Sequence, residues 1–366
     1  MEIKSVTIIG LGVIGGSLAK ALRRIDEIEE ITGIDTNEDS LDKALAEGVL
    51  DRAFTIIDKN IHNSDLVFVC TPINRIIDYI EKLINIVKPS CIITDTGSIK
   101  GELVQTIESS TGQINFIGGH PMCGSEKSGY EASRRHLFEN AYYILTPTNK
   151  TLDKTIEFME KIIIAIGGIP VIINSKMHDT VTGAISHVPH VISAALVNLV
   201  QEMDYKEKYM QKLAAGGFKD ITRIASAKPE MWQNIAISNK DQIKNILRHF
   251  SEKVNQFIIL LDNNNSQDIY DFFDSAKRYR DSFTSRNVGL IAPFYDLSVD
   301  IEDKPGEIGK LATLLGQNEV NIKNINVSNS REFEHGCLKI TFSDLDNLDR
   351  AYKLLKSYGY TVQKSN

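Results

Sequence analysis

His120, Ser98 and Arg223 have the types and placement to take a proton from an alcohol and to hold a carboxylate. His120 ends the run Gly118-Gly119-His120-Pro121, which follows a short apolar segment from Asn115 to Ile117. In an open α/β sheet such a strand end faces the ligand crevice, and His120 is the one titratable base the predicted sheet places there. An alcohol that gives up hydride must also lose its hydroxyl proton, so a histidine in hydrogen-bond reach is the natural base. Packing, or capping a turn, is the alternative for His120. Ser98 follows Gly97 on the neighbouring strand end. It could donate to the same hydroxyl, orient the histidine, or cap a helix beginning near Ile99. Arg223 is the cation best suited to grip a carboxylate with two hydrogen bonds. Lys219 and Asp220 precede it after Gly216-Gly217, and all three also fit a solvated first helical turn. His187 and His190 are three apart on a predicted helix and share a face. No Cys, Asp or Glu accompanies them at a metal spacing, so no metal is expected. The pair then serves as hydrogen-bonding groups toward a substrate or a helix neighbour. Trp232, the only tryptophan, is assigned to the core.

The elements that must position these residues begin at the N-terminus. Val6 to Ile9 is an apolar run, Gly10-Leu11-Gly12-Val13-Ile14-Gly15-Gly16 follows, and a helix and a second strand lead to Asp35. A strand, a G-x-G-x-x-G turn, a helix and an acidic residue about 20 positions on form the dinucleotide-binding fingerprint. Gly10 permits the tight turn, Gly12 lets backbone approach a pyrophosphate, and Gly15 brings helix against strand. Val13 and Ile14 open the helix, where free N–H groups and the dipole favour an anion. Asp35 can accept from a ribose 2′-hydroxyl and repels a 2′-phosphate, so NAD is expected over NADP. Thr71-Pro72, ending the strand Leu66 to Cys70, is a further cofactor contact by its place in the crevice.

Strand runs alternate with helical stretches up to about residue 173, which predicts crossover units and a parallel sheet. From 174 to about 290 the pattern is helical and almost free of strand signal. Val181, Ala184, Ile185, Val188, Ile192, Ala195, Leu196 and Leu199 form a wide apolar face, with Pro189 placed to kink the helix or interrupt its hydrogen bonding. Residues 291–366 follow the order βαββαβ, the ferredoxin-like arrangement. The expected architecture is therefore a doubly wound Rossmann-type domain (1–173), a helical substrate and dimerisation domain with its connector (174–290), and a small α/β module (291–366).

Composition sets outer bounds. A chain of 366 residues with 42% hydrophobic and 24% charged residues fits two or three globular domains. No stretch of 18 or more apolar residues is read as free of charge, so no membrane span is expected. Met1-Glu2-Ile3-Lys4 runs straight into the first strand and leaves no room for a signal peptide. Cys70, Cys91, Cys123 and Cys337 show no C-x-x-C spacing, which fits reduced thiols in a cytoplasm. A net charge of −7 without a basic run argues against nucleic acid, so any anionic substrate needs counter-charges local to its site.

Together these segments make the chain resemble the prephenate dehydrogenases of the bacterial type that carry a C-terminal ACT domain. The likeness spans nearly the whole length. It rests on Gly10 to Gly16, Asp95 to Lys100, Gly119 to Gly129, Ser186 to His190 and Gly216 to Arg223, in that order. It implies oxidative decarboxylation of prephenate by NAD to 4-hydroxyphenylpyruvate, in tyrosine synthesis, by a cytoplasmic homodimer. It places the catalytic histidine on His120 and its partner serine on Ser98. The substrate's arginine falls on Arg223, a contacting histidine on His190, and the acidic gate on Glu126, beside Ser125. Lys219 and Asp220 match a pair near the subunit boundary. Prephenate is favoured because His190 and Lys219 suit a keto-acid carboxylate. An arogenate dehydrogenase is the neighbouring alternative, and a non-catalytic NAD and amino-acid sensor a more distant one. The resemblance also implies L-tyrosine as effector. Its carboxylate would meet the helix start after Asp303-Lys304-Pro305-Gly306, with Asn321 adding contacts, unless the module only dimerises.

Overall fold

The structure, a computed structural model, describes residues 3–110, 114–124, 127–205, 207–285, 295–302, 304–328 and 336–364. It divides into two compact units, Met1–Asn264 and Asn265–Asn366. The apolar runs of the first unit form an eight-stranded sheet. Its strands are β1 Ser5–Ile9, β2 Glu30–Ile34, β3 Arg52–Phe54, β4 Leu66–Val69, β5 Ile92–Asp95, β6 Phe116–Pro121, β7 Tyr142–Pro147 and β8 Ile169–Ile172, in spatial order β3-β2-β1-β4-β5-β6-β7-β8. Helices α1 Val13–Leu22, α2 Glu38–Ala46, α3 Ile73–Ile84, α4 Gly101–Ser109 and α5 Asp153–Ala165 link the strands. Successive residues of β4 enter opposite cores, with Leu66 and Phe68 in one and Val67 and Val69 in the other. Apolar side chains on both faces are what a sheet covered on both sides requires. Burying each contributes about 1.5–3 kcal/mol.

The expectation of a wholly parallel sheet needs correction. β1 to β6 are parallel, but β7 runs antiparallel to β6, and β8 is parallel to β7. The β6–β7 connection contains only a 3₁₀ turn, Tyr130–Ala132, among its described residues, so no crossover helix sets a parallel direction. β6 also runs four residues past Ile117. Pairing of His120 with Ile144 and of Pro121 with Tyr143 holds the backbone extended there. The catalytic candidate is thus part of the sheet.

Beyond β8 come α6 Ser175–Thr182, a π-helical turn Gly183–His187, α7 Val188–Met203, α8 Tyr209–Leu213, α9 Gly216–Thr222, α10 Pro229–Ser238 and α11 Lys240–Asp262. Pro189 lies midway along the helical stretch Ser175–Met203, and the α-helical hydrogen bonding is interrupted just before it, as expected. It sits in the first turn of α7, where its missing N–H is harmless, and the π turn absorbs the disruption before it. Val188 N–H reaches back five residues to the Gly183 carbonyl. The stretch Ser175–Met203 is long and apolar enough to cross a membrane by length and composition alone. Within it, however, His178 and Asp179 are hydrogen-bonded to residues of β6 and α4, and His187 to Asn239. These bonds tie it to the rest of its unit.

The second unit begins with α12 Ser266–Ser285 and continues as β9 Tyr295–Ile301, α13 Glu307–Gln317, β10 Asn324–Ser328, β11 Gly336–Phe342, α14 Leu345–Ser357 and β12 Val362–Lys364. Its sheet is antiparallel, in order β10-β11-β9-β12. Leu297 faces Ile340 and Val299 faces Leu338 across the ladder, so one sheet face carries the apolar set. Leu311, Leu315, Leu348, Ala351 and Leu355 close over it from the two helices.

Candidate active site

The parallel strands deliver the Gly-rich turn, Thr71, Ser98 and His120 to one edge of the sheet. The order reverses between β1 and β4, and a cleft of about 650 Å³ opens there, lined by Gly10, Gly12, Asp35, Thr71, Pro72 and Arg75 among others. Gly10 has φ +92°, and a Cβ on it would lie 2.5 Å from the Cys70 carbonyl oxygen. A Cβ on Gly15 would lie 1.9 Å from the Gly10 carbonyl, so its absence is what lets α1 meet the turn. Gly12 faces open space and caps α1 without a side-chain hydrogen bond, leaving the N–H groups at Val13 and Ile14 to meet an anion. The Asp35 carboxylate accepts from Leu11 N–H at 2.6 Å and from Asn37 N–H at 2.8 Å, which fixes it beside the turn. Thr71 Oγ1 is buried with no hydrogen-bond partner. An open backbone cradle, an anchored carboxylate and an unpaired hydroxyl together fit a dinucleotide. Sequence distance hid two cations: Arg75 and Lys82 of α3 also line this cleft.

His120 is half-buried near the end of β6, and its Nδ1 lies 2.8 Å from His178 Nε2. His178 Nδ1 lies 2.7 Å from Asp179 Oδ1. Asp179 in turn accepts from the backbone N–H groups of Lys100, at 2.8 Å, and Gly101, at 2.7 Å. It therefore caps α4 from another part of the chain, a task Ser98 was also suited to. Ser98 is half-buried between β5 and α4, and its hydroxyl makes no hydrogen bond among the described residues. Beneath His120, Asp95 and Lys100 form a fully buried ion pair of 2.5 Å. Asp95 also accepts from Gly119 N–H at 3.2 Å, which braces the strand that carries His120. Burial lowers the pKa of His120 well below its ordinary value, and the neighbouring His178, Lys100 and His187 push the same way. His120 is therefore neutral, with a lone pair to offer, at neutral pH.

The substrate candidates divide. His190 on α7 donates Nδ1–H to the Ser186 carbonyl at 2.9 Å, and Arg223 is near enough for its charge to lower the histidine's pKa further after burial has done so. Arg223 begins a 3₁₀ turn after α9 that packs on α7, so these two are brought together. Lys219 is exposed on α9, as is Asp220, and neither side chain has a hydrogen bond or ion pair among the described residues. Ser125 and Glu126 lie outside the described residues. His187 and His190 both meet Trp232, one edge-on at 6.1 Å between ring centroids and the other stacked, but their hydrogen bonds differ. The π turn sends His187 inward to Asn239, at 3.0 Å, and burial lowers its pKa to about 4. Trp232 is not core: it is half-buried and stacks on His190. Sequence reasoning missed His178, Asp179 and Asn239. A His-Asp dipeptide at the start of an otherwise apolar helix face was the available signal, because buried polar residues need partners.

Residues 18–172 match the family described as prephenate dehydrogenase, nucleotide-binding domain, and residues 174–275 the one described as prephenate dehydrogenase, dimerization domain. The chain is 34% identical over 355 residues to the prephenate dehydrogenase of Bacillus subtilis, covering 96% of each chain. It is 33% identical over 366 residues to that of Lactococcus lactis, covering 98% of this chain and 99% of the relative. The crystal structure of prephenate dehydrogenase from A. aeolicus, in complex with hydroxyphenyl propionate and NAD+, superposes with a TM-score of 0.73 at 34% identity, over 77% of this chain and 99% of that one. The chain belongs to the prephenate dehydrogenase family.

Proposed function

We propose that this protein is a cytoplasmic, NAD-dependent prephenate dehydrogenase. The observation that carries the reading is a neutral His120 with an available Nε2, on the sheet edge that also holds the dinucleotide cradle. NAD supplies the acceptor for the hydride that leaves the substrate's C4. His120 Nε2 takes the hydroxyl proton as C4–O gains carbonyl character, and Ser98 stands on the adjacent strand end to hold the same oxygen. Loss of the ring carboxylate as carbon dioxide then restores aromaticity, so the thermodynamic drive belongs to the substrate and the protein supplies position. Arg223, with Lys219 nearer the rim, holds the substrate's carboxylates, and His190 completes that end of the site. Ser125 and Glu126 retain their assignment by family resemblance.

A second reading has one observation in its favour. Because His190 gives Nδ1–H to a carbonyl, its neutral Nε2 is an acceptor, which suits the ammonium of arogenate as well as a protonated His190 suits a carboxylate. Purified protein with NAD and either prephenate or arogenate, followed by NADH absorbance, separates the two. Turnover of neither would refute the function.

The exposed apolar residues Ile185, Leu199 and Met203, together with Val254 and Ile258 of α11, propose the surface through which a homodimer forms. The match of this region to a dimerisation domain supports it. The βαββαβ unit is proposed as an ACT module binding L-tyrosine. Gly306, at φ +95°, caps α13 without a side-chain bond, Pro305 precedes it, and Asn321 N–H donates to Asn347 Oδ1 at 3.3 Å on the neighbouring segment. Asp303 lies outside the described residues. Tyrosine should inhibit the full chain, and a chain ending at Arg286 should escape that inhibition. Unchanged inhibition after truncation would leave the module only a structural role.

A further inference from the structure

We propose that His178 and Asp179 are positioning residues that fix the tautomer of His120, an inference that rests on His120 being the base. With His178 neutral, the form its burial favours, the donors and acceptors leave one consistent assignment. Asp179 accepts already from Lys100 N–H and Gly101 N–H, so its carboxylate is locked in place at the start of α4. A carboxylate oxygen 2.7 Å from His178 Nδ1 requires that nitrogen to carry the proton. Neutral His178 then offers only a lone pair at Nε2. His120 Nδ1, 2.8 Å away, must be the donor. Its own Nε2 is left without a proton and, among the described residues, without a hydrogen-bond partner. Each ring is thereby aimed as well as protonated, in the way a carboxylate orients the histidine of a hydrolase triad.

The line has a structural consequence. His120 belongs to the sheet, whereas His178 and Asp179 belong to the first turn and a half of α6, 58 residues away in sequence from the base. Asp179 returns to the sheet side by capping α4. Any shift of α6 against the sheet would break the two-ring contact before it broke either element. Asn239 holds the same helix by donating to the Asp179 carbonyl at 3.0 Å.

The test begins with the full-length protein and no substrate. Nitrogen-15 labelling of histidine, with the His120 signal assigned by its loss in His120→Asn, reports which ring nitrogen bears the proton. The expected result is protonated Nδ1 and bare Nε2. A proton on Nε2 in the neutral enzyme would overturn the proposal whatever the substrate proves to be. Kinetics supply the second arm. His178→Phe should lower kcat by roughly 10–10⁴-fold, the upper end being the worth of the group that orients the histidine of a hydrolase triad, with KM and NAD affinity little changed. His178→Gln, which restores an acceptor toward His120, should recover most of that loss. Equal losses in both variants, or a loss confined to KM, would assign His178 a structural role instead. Failure of the unaltered enzyme to oxidise prephenate would refute the proposed function and leave the nitrogen-15 result standing.

Discussion

The imidazole of His190 lies flat on the indole of Trp232, ring centroids 3.6 Å apart and planes inclined by 25°. The stack, together with the bond to Ser186, leaves His190 one orientation. An aromatic pair of this kind contributes about 0.5–1.5 kcal/mol beyond its area, so Trp232→Leu should raise KM for prephenate roughly 2–12-fold. Turnover at saturation should hardly change. Steady-state kinetics check this, and a lowered kcat at unchanged KM would remove the stack from substrate binding.

His120→Asn should lower turnover by roughly 10²–10⁴, the worth of a positioned base, while NAD still binds. The folded pKa of His120 is depressed, so the working neutral form persists below pH 6.5. In the unaltered enzyme kcat/KM should therefore be flat through neutrality and fall only on acidification below that value. A rise in activity centred above pH 7 would contradict the electrostatics around β6.

The same burial makes acid a threat to stability. His120, His178, His187 and His190 all have folded pKa values below their unfolded ones. Each contributes stability that is fully present above pH 6.5 and is lost as pH falls toward the folded value, about 4 for His187. Thermal unfolding followed from pH 8 to pH 5 should show Tm falling on the acid side of 6.5. A Tm that stayed level over that interval would speak against these buried neutral rings.

Lys100→Met leaves the Asp95 carboxylate buried without its partner. Breaking one side of such a pair costs about 3–5 kcal/mol, so Tm should drop steeply. The double variant Asp95→Asn with Lys100→Met should be more stable than Lys100→Met alone. Calorimetry of the three proteins decides the matter, and additive losses would mean the pair is not coupled.

Asp35 is anchored by two backbone N–H groups, so it cannot swing away from a 2′-phosphate. NAD should outperform NADP widely in kcat/KM, and Asp35→Ser should narrow the gap, aided by Arg75 in the same cleft. Equal use of both cofactors by the unaltered enzyme would sink this assignment.

Local spacing carried the cofactor half of this protein. The run from Val6 to Asp35 encodes strand, turn, helix and acid in consecutive residues, because each depends only on near neighbours: Gly10 on its own φ, Gly15 on the turn five residues before it. The alternation of Leu297, Val299 and Ile301 likewise announced a strand with one apolar face. The place of His120 near a strand end was legible for the same reason. The direction of β7 was not, because a strand reads the same in either sense and only its connection and partners choose. Nor was the environment of His120. Its partners arrive from α6 and from the loop before α4, and which polar groups share a buried volume is decided when the helices pack on the sheet. Burial makes those contacts obligatory, since a histidine or carboxylate enclosed without a partner is costly. The sequence determines that His178, Asp179 and Lys100 exist; the tertiary structure decides that they meet around the strand that carries His120.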